Sequence, residues 1–246
     1  NLTHFDFWYI INILTHCMDL LFKNRIVKNN LWRYGTMTTR WIAVTGLDGS
    51  GKTTLVDNLV KFLESKGFKV YRDRFPHDKY LTKTLLNESK DAYTDRLLFA
   101  LDNRIAGTHL RNIIETGEYD FIVTQRCLLD SFVHGAVQGY SYSWVSELNH
   151  ISDLPKCDIM VHMVAEARIA YARICNDPDA DKFEYPEYIG KQEQETRRAY
   201  VEVEAHNNPA LIHFNTCQNI YMDTTQMSTD EVFETVSSKL VKMLNL

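Results

Sequence analysis

The sequence lacks the features of disulfide frameworks, zinc fingers and basic nucleic-acid-binding surfaces. Its 246 residues include five cysteines, an odd number, with no Cys-x-x-Cys pair and no zinc-ligand spacing. Acidic residues (32) outnumber lysine and arginine (27), which gives a net charge of -5, whereas nonspecific nucleic-acid binders usually carry a basic surface. We therefore expect a protein of the reducing cytoplasm, or of the host cytoplasm if the gene is viral, with no nucleic-acid partner.

Long hydrophobic runs are also missing. The most apolar segment, residues 5–22, is interrupted by Asp6, His16 and Asp19, which makes it a poor membrane span. A secretory signal would carry its positive charge before the apolar run, and here the basic residues come after it. The sequence thus predicts no membrane partner.

Residues 1–36 differ in composition from the rest of the chain. An aromatic and aliphatic stretch is followed by a basic, asparagine-rich run, and Met37 stands just before a typical domain start. We expect residues 1–36 to be translated upstream sequence or an expression remnant outside the fold, and residues 37–246 to form the domain. A short amphipathic docking helix is the alternative interpretation.

From Met37 onward, short apolar runs alternate with helical patterns. This alternation predicts an α/β fold in which helices cover both faces of a five-stranded, mostly parallel sheet. Residues 176–186 interrupt the alternation because they are polar, acidic and contain two prolines, which predicts a mobile loop. We expect strands at residues 41–45, 69–71, 121–124, 159–163 and 219–222, and helices at residues 53–66, 92–115 and 231–246.

A glycine-rich loop follows the first predicted strand. It fits the pattern Gly-x4-Gly-Lys-[Ser/Thr], in which glycines let successive backbone N–H groups point at phosphate oxygens. The helix that follows adds the positive end of its dipole. Lys52 supplies a charge for the β- and γ-phosphates, and Thr53 supplies a hydroxyl for magnesium. The loop predicts a nucleoside triphosphate site formed by Gly46, Leu47, Asp48, Gly49, Ser50, Gly51, Lys52 and Thr53.

The loop alone does not name the reaction, because motors, GTPases and kinases share it. The sequence has no Asn-Lys-x-Asp guanine-recognition motif. Its Asp-x-x-Gly match, from Asp48 to Gly51, lies inside the phosphate loop and cannot act as a separate switch. Both observations argue against a GTPase.

Four ordered segments of the chain resemble the thymidylate kinase family, over residues 41–224. Weaker matches follow in the acidic loop, at residues 181–184, and at Arg197 and Tyr200. The resemblance implies the three-layer P-loop nucleoside monophosphate kinase fold with a mobile lid at about residues 176–186, and a homodimer. The four segments are the phosphate loop with its Asp48, extended through Thr54; Arg74-Phe75-Pro76; Leu97-Leu98-Phe99-Ala100 with Asn103-Arg104; and Arg126 followed by Ser131 and Gly135.

The resemblance also implies roles for these residues. Arg74 and Arg126 would hold the phosphate of a deoxynucleoside monophosphate, which the planar fork of arginine suits. Asp48 would accept a hydrogen bond from the deoxyribose 3′-hydroxyl, Phe99 would stack on the base and Arg104 would hydrogen-bond its edge. The implied ATP-binding set is residues 46–54, and the implied substrate-binding set is Asp48, Arg74, Phe75, Phe99, Arg104 and Arg126.

Structural alternatives stay open for most of these residues. The two arginines could form surface ion pairs, although sites in open α/β sheets lie at strand ends, where both arginines fall. Phe75 and Phe99 could pack in the core. Asp48 could be a structural carboxylate of the loop.

The spacing of the base-recognition pair departs from the family. The stacking phenylalanine and the base-reading arginine are four residues apart in the family and share one helical face. Phe99 and Arg104 are five apart, about 140° round an ideal helix. Either Ala100 occupies the stacking position, or a bulge restores the geometry.

Two further departures concern charge. The family's Asp-Arg-Tyr after the third strand is replaced by Gln125-Arg126-Cys127, which keeps the arginine and loses its neighbouring carboxylate. Residue 49 is glycine, so the loop carries no arginine, and family members of that kind place catalytic arginines in the lid. Arg173 and Lys182 are the candidates here, beside Lys52, Asp48 and Arg126 as the other catalytic residues.

The sequence therefore predicts a kinase that moves the γ-phosphate of ATP to a deoxynucleoside 5′-monophosphate, first of all dTMP, with Mg²⁺. Such a transfer needs positioning and charge neutralisation and no general base. A deoxynucleoside kinase is one alternative, and it would need a carboxylate base near the 5′-hydroxyl. The other is a nucleotide-binding regulatory protein with weakened catalysis, an interpretation that Gln125 and the acidic lid favour.

Overall fold

The computed structural model describes residues 39–246, apart from residue 79 and residues 177–181. The prediction that residues 1–36 do not belong to the fold therefore concerns residues outside the described part of the chain. The same holds for the middle of the predicted lid. In the described part, no helix combines the length and the apolar character needed to cross a bilayer.

Five parallel strands form one sheet in the order β2-β3-β1-β4-β5. All five lie where the sequence predicts them, with ends that differ by at most three residues. The central strands are almost fully buried, as expected for parallel strands that are covered on both faces. The bounds are β1 Arg40–Gly46, β2 Val70–Arg74, β3 Phe121–Gln125, β4 Ile159–Val164 and β5 Gln218–Asp223.

In the described residues, seven α-helices of eight or more residues connect and cover the strands, and their ends follow local signals. Asp91 caps the longest helix, because its carboxylate accepts a hydrogen bond from the backbone of Thr94, and Gly117 ends it in a left-handed conformation. The helices are α1 Lys52–Ser65, α2 Ala92–Thr116, α3 Leu128–Val137, α4 Tyr142–Asn149, α5 Ala167–Ile174, α6 Pro186–Ala205 and α7 Thr229–Leu244. Shorter turns are π-helical at Leu81–Leu85, α-helical at Leu86–Glu88, and 3₁₀-helical at Ile151–Asp153 and Pro209–Phe214.

Two apolar cores lie on opposite faces of the sheet. Helices α1 and α7 pack on one face, where Leu59 and Val236 are fully buried. Helices α2, α3, α4 and α6 cover the other face, around Phe132 and Leu110. This is the predicted three-layer arrangement. It leaves a crevice beyond the carboxyl ends of β1 and β3, where open α/β sheets bind their ligands.

Candidate active site

The phosphate loop joins β1 to α1, and two of its glycines are required by close backbone contacts. Gly46 and Gly49 have φ angles of +126° and +78°, a region that side chains disfavour. A Cβ atom on Gly46 would lie 1.9 Å from the carbonyl oxygen of Met163, and one on Gly49 would lie 2.1 Å from that of Ala170. The loop is therefore packed against β4 and α5 so tightly that these two positions accept only glycine.

Lys52 lies at the centre of the loop, with its side chain buried. Its Nζ atom donates to the carbonyl oxygens of Gly46 (2.8 Å) and Leu47 (2.7 Å) and contacts Oδ1 of Asp48 at 3.1 Å. Burial lowers the pKa of Lys52, while the neighbouring carboxylate opposes that shift. The loop thus surrounds the ammonium group of Lys52 and holds it where phosphate oxygens would bind.

Asp48 and Arg126 form a buried ion pair that joins the loop to the end of β3. Arg126 adopts a left-handed backbone conformation (φ +66°), and its backbone N–H donates to the carbonyl oxygen of Val44 at 2.7 Å. Its guanidinium is bonded to Oδ1 of Asp48, and Nε2 of Gln192 reaches Oδ2 at 3.1 Å. Burial alone would raise the pKa of Asp48, but Arg126 and Lys52 hold it well below its usual range.

Asp130 is a site residue that sequence reasoning missed. It lies in the first turn of α3, where its carboxylate accepts from the hydroxyl of Thr45 (2.5 Å) and the backbone N–H of Cys127 (3.0 Å), and lies 3.9 Å from Nε of Arg126. Burial raises its pKa. The signal in the sequence was the position of Asp130 four residues after Arg126. In the structure, Asp130 supplies the carboxylate near Arg126 that is missing at position 125, where the residue is glutamine.

A cleft of about 730 Å³ opens beside the loop. Arg173, on α5, reaches it from the far side, and its guanidinium donates to the carbonyl oxygens of Gly49 (3.2 Å) and Thr224 (2.9 Å). The cleft brings together most residues predicted for phosphate binding. Those that line it are Asp48, Gly49, Ser50, Gly51, Lys52, Thr53, Thr54, Arg74, Arg126 and Arg173.

The two arginines of β2 also line this cleft. Arg72 forms an ion pair with Asp57 of α1 at 2.7 Å. Arg74 lies at the last position of the strand and is exposed. The predicted phosphate-binding pair, Arg74 and Arg126, therefore lines the same cleft as the phosphate loop. The neighbouring Phe75 is buried and stacks on Trp41, with ring centroids 6.4 Å apart, so in this structure it packs in the core.

The five-residue spacing of Phe99 and Arg104 persists in a regular helix, because α2 is α-helical from its first residue to its last. Arg104 points away from Phe99, toward the end of α4, where it lies 3.4 Å from the carbonyl oxygen of Asn149 and 3.8 Å from the carboxylate of Asp153. The residue that does cover Phe99 is Arg96, whose guanidinium carbon lies 4.5 Å from the ring centroid. The predicted base-recognition pair is thus on two different faces of α2.

Lys182 lies apart from the phosphate loop. Its ammonium contacts Oδ1 of Asp95 at 2.6 Å and the carbonyl oxygen of Ser89 at 3.2 Å, and it borders a second cavity, of about 490 Å³. Of the two cations suggested for the lid region, Arg173 borders the phosphate cleft and Lys182 does not. A catalytic role for Lys182 stays a prediction that would require the lid to move.

An aromatic and polar cluster next to Phe99 also escaped sequence reasoning. The ring of His134 lies nearly parallel to that of Phe99, with centroids 6.3 Å apart, and its Nδ1 atom lies 2.8 Å from the hydroxyl of Tyr188. Burial lowers the pKa of His134 to about 3. Its Nε2 atom lies 3.4 Å from Gln192, which in turn reaches Asp48. These contacts connect the ring of Phe99 to the phosphate loop.

Comparison with known proteins gives one family. The family model described as thymidylate kinase matches residues 44–222. A probable thymidylate kinase of Saccharolobus solfataricus is 32% identical over 167 residues, covering 66% of this chain and 82% of the relative. A probable thymidylate kinase of Sulfurisphaera tokodaii is 28% identical over 165 residues, covering 67% of this chain and 82% of the relative.

The fold agrees with that of a solved thymidylate kinase structure. The thymidylate kinase of Candida albicans superposes with a TM-score of 0.62 at 17% sequence identity, covering 86% of this chain and 95% of the other. The family match runs from within β1 to within β5, so it includes the phosphate loop, both cleft arginines and the helix of Phe99. The chain therefore belongs to the thymidylate kinase family of nucleoside monophosphate kinases.

Proposed function

We propose that this chain transfers the γ-phosphate of ATP to a deoxynucleoside 5′-monophosphate, with dTMP as the first substrate and dTDP as the product. The observation that carries the proposal is one cleft lined by both the phosphate loop and the arginines Arg74 and Arg126. The loop suits a donor triphosphate, and the two arginines suit an acceptor monophosphate. The names of the relatives support the choice of dTMP.

The donor is held by the loop and its lysine. The backbone N–H groups of residues 46–54 and the amino end of α1 bind phosphate oxygens. Lys52 exchanges its contacts with Gly46 and Leu47 for the β- and γ-phosphates. Arg173 already contacts the loop at Gly49, so its guanidinium is close enough to neutralise charge that develops on the transferring group.

The acceptor is held by charge and by one carboxylate. Arg126 and Arg74 bind its phosphate, and Asp48, which is ionised because Arg126 and Lys52 lower its pKa, accepts from the 3′-hydroxyl. The acceptor phosphate oxygen is already an anion, so the transfer needs alignment and not a base. A bare nucleoside would leave the two arginines without a phosphate, which disfavours a deoxynucleoside kinase.

Thr53 is the residue that would hold Mg²⁺. It is exposed at the first turn of α1 and lines the cleft next to Lys52, whereas the nearby carboxylates Asp48 and Asp130 are buried and already paired. One threonine hydroxyl with phosphate oxygens and waters is a common magnesium environment. The ion would supply positive charge that neutralises the donor phosphates.

We also propose a homodimer located in the cytoplasm. Four apolar side chains at four-residue spacing on α2 are exposed: Tyr93 (52%), Leu97 (42%), Leu101 (49%) and Ile105 (36%). A continuous apolar stripe of this kind marks an interaction site, and it can pair with its own copy in a two-fold dimer. Light scattering of Leu97→Glu/Leu101→Glu should give the monomer mass if the proposal is right. The cytoplasmic location is proposed from the scattered cysteines, of which those described are free thiols.

A coupled assay tests the proposed reaction. The purified protein, ATP and Mg²⁺ are combined with each nucleoside monophosphate in turn, and with thymidine. We expect ADP release with dTMP and none above background with thymidine. Transfer to thymidine alone would replace the proposal with a deoxynucleoside kinase, and tight ATP binding without any transfer would indicate a regulatory protein.

A further inference from the structure

Two histidines and a carboxylate come together outside the cleft, in what we call the His–Asp cluster: Asp73, His77 and His109. Nδ1 of His77 lies 3.0 Å from Oδ2 of Asp73, and the rings of His77 and His109 have centroids 5.0 Å apart. One nitrogen or oxygen atom from each residue lies within 4.8 Å of the other two. All three side chains are half-buried, so the cluster is shielded and still open to an ion.

Neighbouring groups fix the cluster from outside. The hydroxyl of Tyr71 lies 2.6 Å from Nε2 of His109, and the backbone N–H of Arg74 donates to Oδ1 of Asp73 at 2.8 Å. The carboxylate of Asp102 accepts from the backbone N–H of His77 at 2.8 Å, which holds the loop after β2 against α2. Such outer hydrogen bonds orient the ligands of protein metal sites.

We propose that the His–Asp cluster binds one zinc ion, with Asp73, His77 and His109 as ligands. Two imidazoles and one carboxylate are a donor set that zinc favours, and three protein ligands leave a fourth tetrahedral position for water. The three ligands come from the edge strand β2, the loop that follows it and the helix α2. Zinc would therefore tie together three segments on the acceptor side of the cleft, next to Arg74.

Titration of the full-length chain with Zn²⁺ alone tests this proposal. The protein is first treated with a chelator, and binding is followed by calorimetry and by the melting temperature. We expect one equivalent per chain and a melting temperature that rises by several degrees at saturation, because the ion binds the folded state. The variant His77→Ala should bind at least about a hundredfold more weakly, since it lacks a ligand, and Tyr71→Phe about tenfold more weakly.

A matched control separates the cluster from other histidines. His206 is exposed and has a left-handed backbone conformation, which asparagine tolerates. The variant His206→Asn should therefore leave zinc affinity unchanged. Cobalt substitution tests the ligand type, because a site of histidine and carboxylate lacks the charge-transfer absorption that cysteine ligands would give. If His77→Ala does not fold, Asp73→Asn takes its place. No zinc binding by the wild type, or affinity that neither variant changes, would overturn the proposal.

An independent observation concerns Arg96 on α2. Its side chain is buried, and among the described residues its Nε and Nη2 atoms have no hydrogen-bond partner, while Nη1 lies 3.4 Å from the carbonyl oxygen of Ser131. Burial lowers the pKa of Arg96 to about 10, so it stays charged at neutral pH. A buried guanidinium with two unpaired donors is costly in a resting protein. It is the arrangement expected of a residue whose partner is a ligand.

We infer that Arg96, in place of Arg104, donates hydrogen bonds to the acceptor base; this inference rests on the proposed function. Arg96 and Phe99 are three residues apart and share a helical face, and the guanidinium covers the ring at 4.5 Å. Arginine offers only donors. It therefore fits the O4 acceptor of thymine and uracil and mismatches the N4 amine of cytosine.

Kinetics with three acceptors test the role of Arg96. The wild type should prefer dTMP and dUMP to dCMP. In Arg96→Met, which keeps chain length and apolar packing, the ratio of kcat/KM for dTMP to that for dCMP should fall about tenfold to hundredfold, with KM for ATP unchanged. Arg104→Gln is the matched control and should keep the ratio.

The outcomes are distinguishable from a failure of the proposed function. If Arg104→Gln collapses the ratio, or if Arg96→Met preserves it, the inference is wrong although the enzyme transfers phosphate to dTMP. If the wild type transfers to no monophosphate, the proposed function fails, and calorimetric binding of dTMP and dCMP to the same variants decides the role of Arg96. Arg96→Lys, which keeps the charge, replaces the methionine variant if the latter does not fold.

Discussion

The donor wall and the acceptor wall of the cleft are built in different ways. The donor wall is one continuous loop whose shape is fixed by backbone contacts, such as those of Gly46 and Gly49 with β4 and α5. What we call the acceptor wall is the proposed site for the acceptor phosphate, formed by the side chains of Arg74 at the end of β2 and Arg126 just after β3. A loop fixed by sterics tolerates few sequences, whereas a wall made of side chains can vary in its specificity without loss of the fold.

The largest effect should come from breaking the donor wall at Gly49. In Gly49→Ala the new Cβ would meet the backbone oxygen of Ala170, so the loop must move; we expect a loss of about 3 kcal/mol or more of stability and of ATP binding. Gly51→Ala is the matched control, because Gly51 is also left-handed but its Cβ would make only an ordinary contact, 3.8 Å from Cε of Met163. It should lose about 1 kcal/mol. Thermal unfolding of both variants is the measurement, and equal losses would show that backbone handedness, not contact, restricts the loop.

Lys52→Ala separates charge from shape in the same wall. Because Lys52 supplies charge to the transferring phosphate, kcat should fall by about a hundredfold to a thousandfold or more, until transfer is effectively abolished. The melting temperature should also fall, because Asp48 and the carbonyl oxygens of Gly46 and Leu47 lose a buried partner; the kinetics are therefore measured well below the unfolding transition. Steady-state kinetics with dTMP measure the loss of kcat, and thermal unfolding measures the change in melting temperature. Unchanged turnover would remove Lys52 from the mechanism.

Arg126→Ala tests the acceptor wall. A charge-assisted contact to phosphate contributes about 1.5–3 kcal/mol, so KM for dTMP should rise about tenfold to hundredfold with a smaller change for ATP. Arg72→Ala is the control, because Arg72 lines the same cleft and is paired with Asp57, but is not one of the arginines proposed to bind the acceptor phosphate. If ATP affinity falls and dTMP affinity does not, the two walls have been assigned the wrong way round.

Stability at mildly acidic pH should depend on buried histidines beside both walls. The pKa of His134 is lowered to about 3 and that of His162 to about 4, both by burial, whereas an unfolded histidine titrates near 6.5. The unfolded state thus binds more protons between about pH 6.5 and 4, and the free energy of unfolding falls as pH falls, by up to about 1.4 kcal/mol per pH unit for each histidine. Urea unfolding of wild type and His134→Gln across this range should give a shallower slope for the variant. An identical slope would mean that His134 does not titrate as described.

Removal of residues 1–36 should have the smallest effect. The sequence predicts that these residues lie outside the fold, and the contacts of both walls described above involve residues from 39 onward. We expect an unchanged melting temperature and unchanged kcat/KM for dTMP in the truncated chain. A large fall in melting temperature would show that the segment packs on the domain.

The difference between the walls also explains what the sequence could predict. Strand positions and the phosphate loop were accessible because apolar periodicity and the Gly-x4-Gly-Lys-Thr spacing are local signals. The buried positions of Asp130, Arg96 and Gln192 were not, because each also contacts a residue that is distant in sequence: Asp130 contacts Thr45 across 85 positions, Arg96 contacts Ser131 across 35, and Gln192 contacts Asp48 across 144. The five-residue spacing of Phe99 and Arg104 left two arrangements open, a bulge or a regular helix. Only the structure showed that the helix is regular and that the two side chains lie on different faces.

The carboxylate of Asp48 is in contact with charged groups of both walls. Its oxygens bind Lys52 from the donor wall, Arg126 from the acceptor wall and Gln192 from α6. In the proposed function, a triphosphate draws Lys52 away from Asp48, which changes the charge that Asp48 presents to Arg126 and to an incoming hydroxyl, and the reverse holds for the acceptor. The two substrates are therefore linked by one coupling free energy, which by reciprocity must be the same whichever of them binds first.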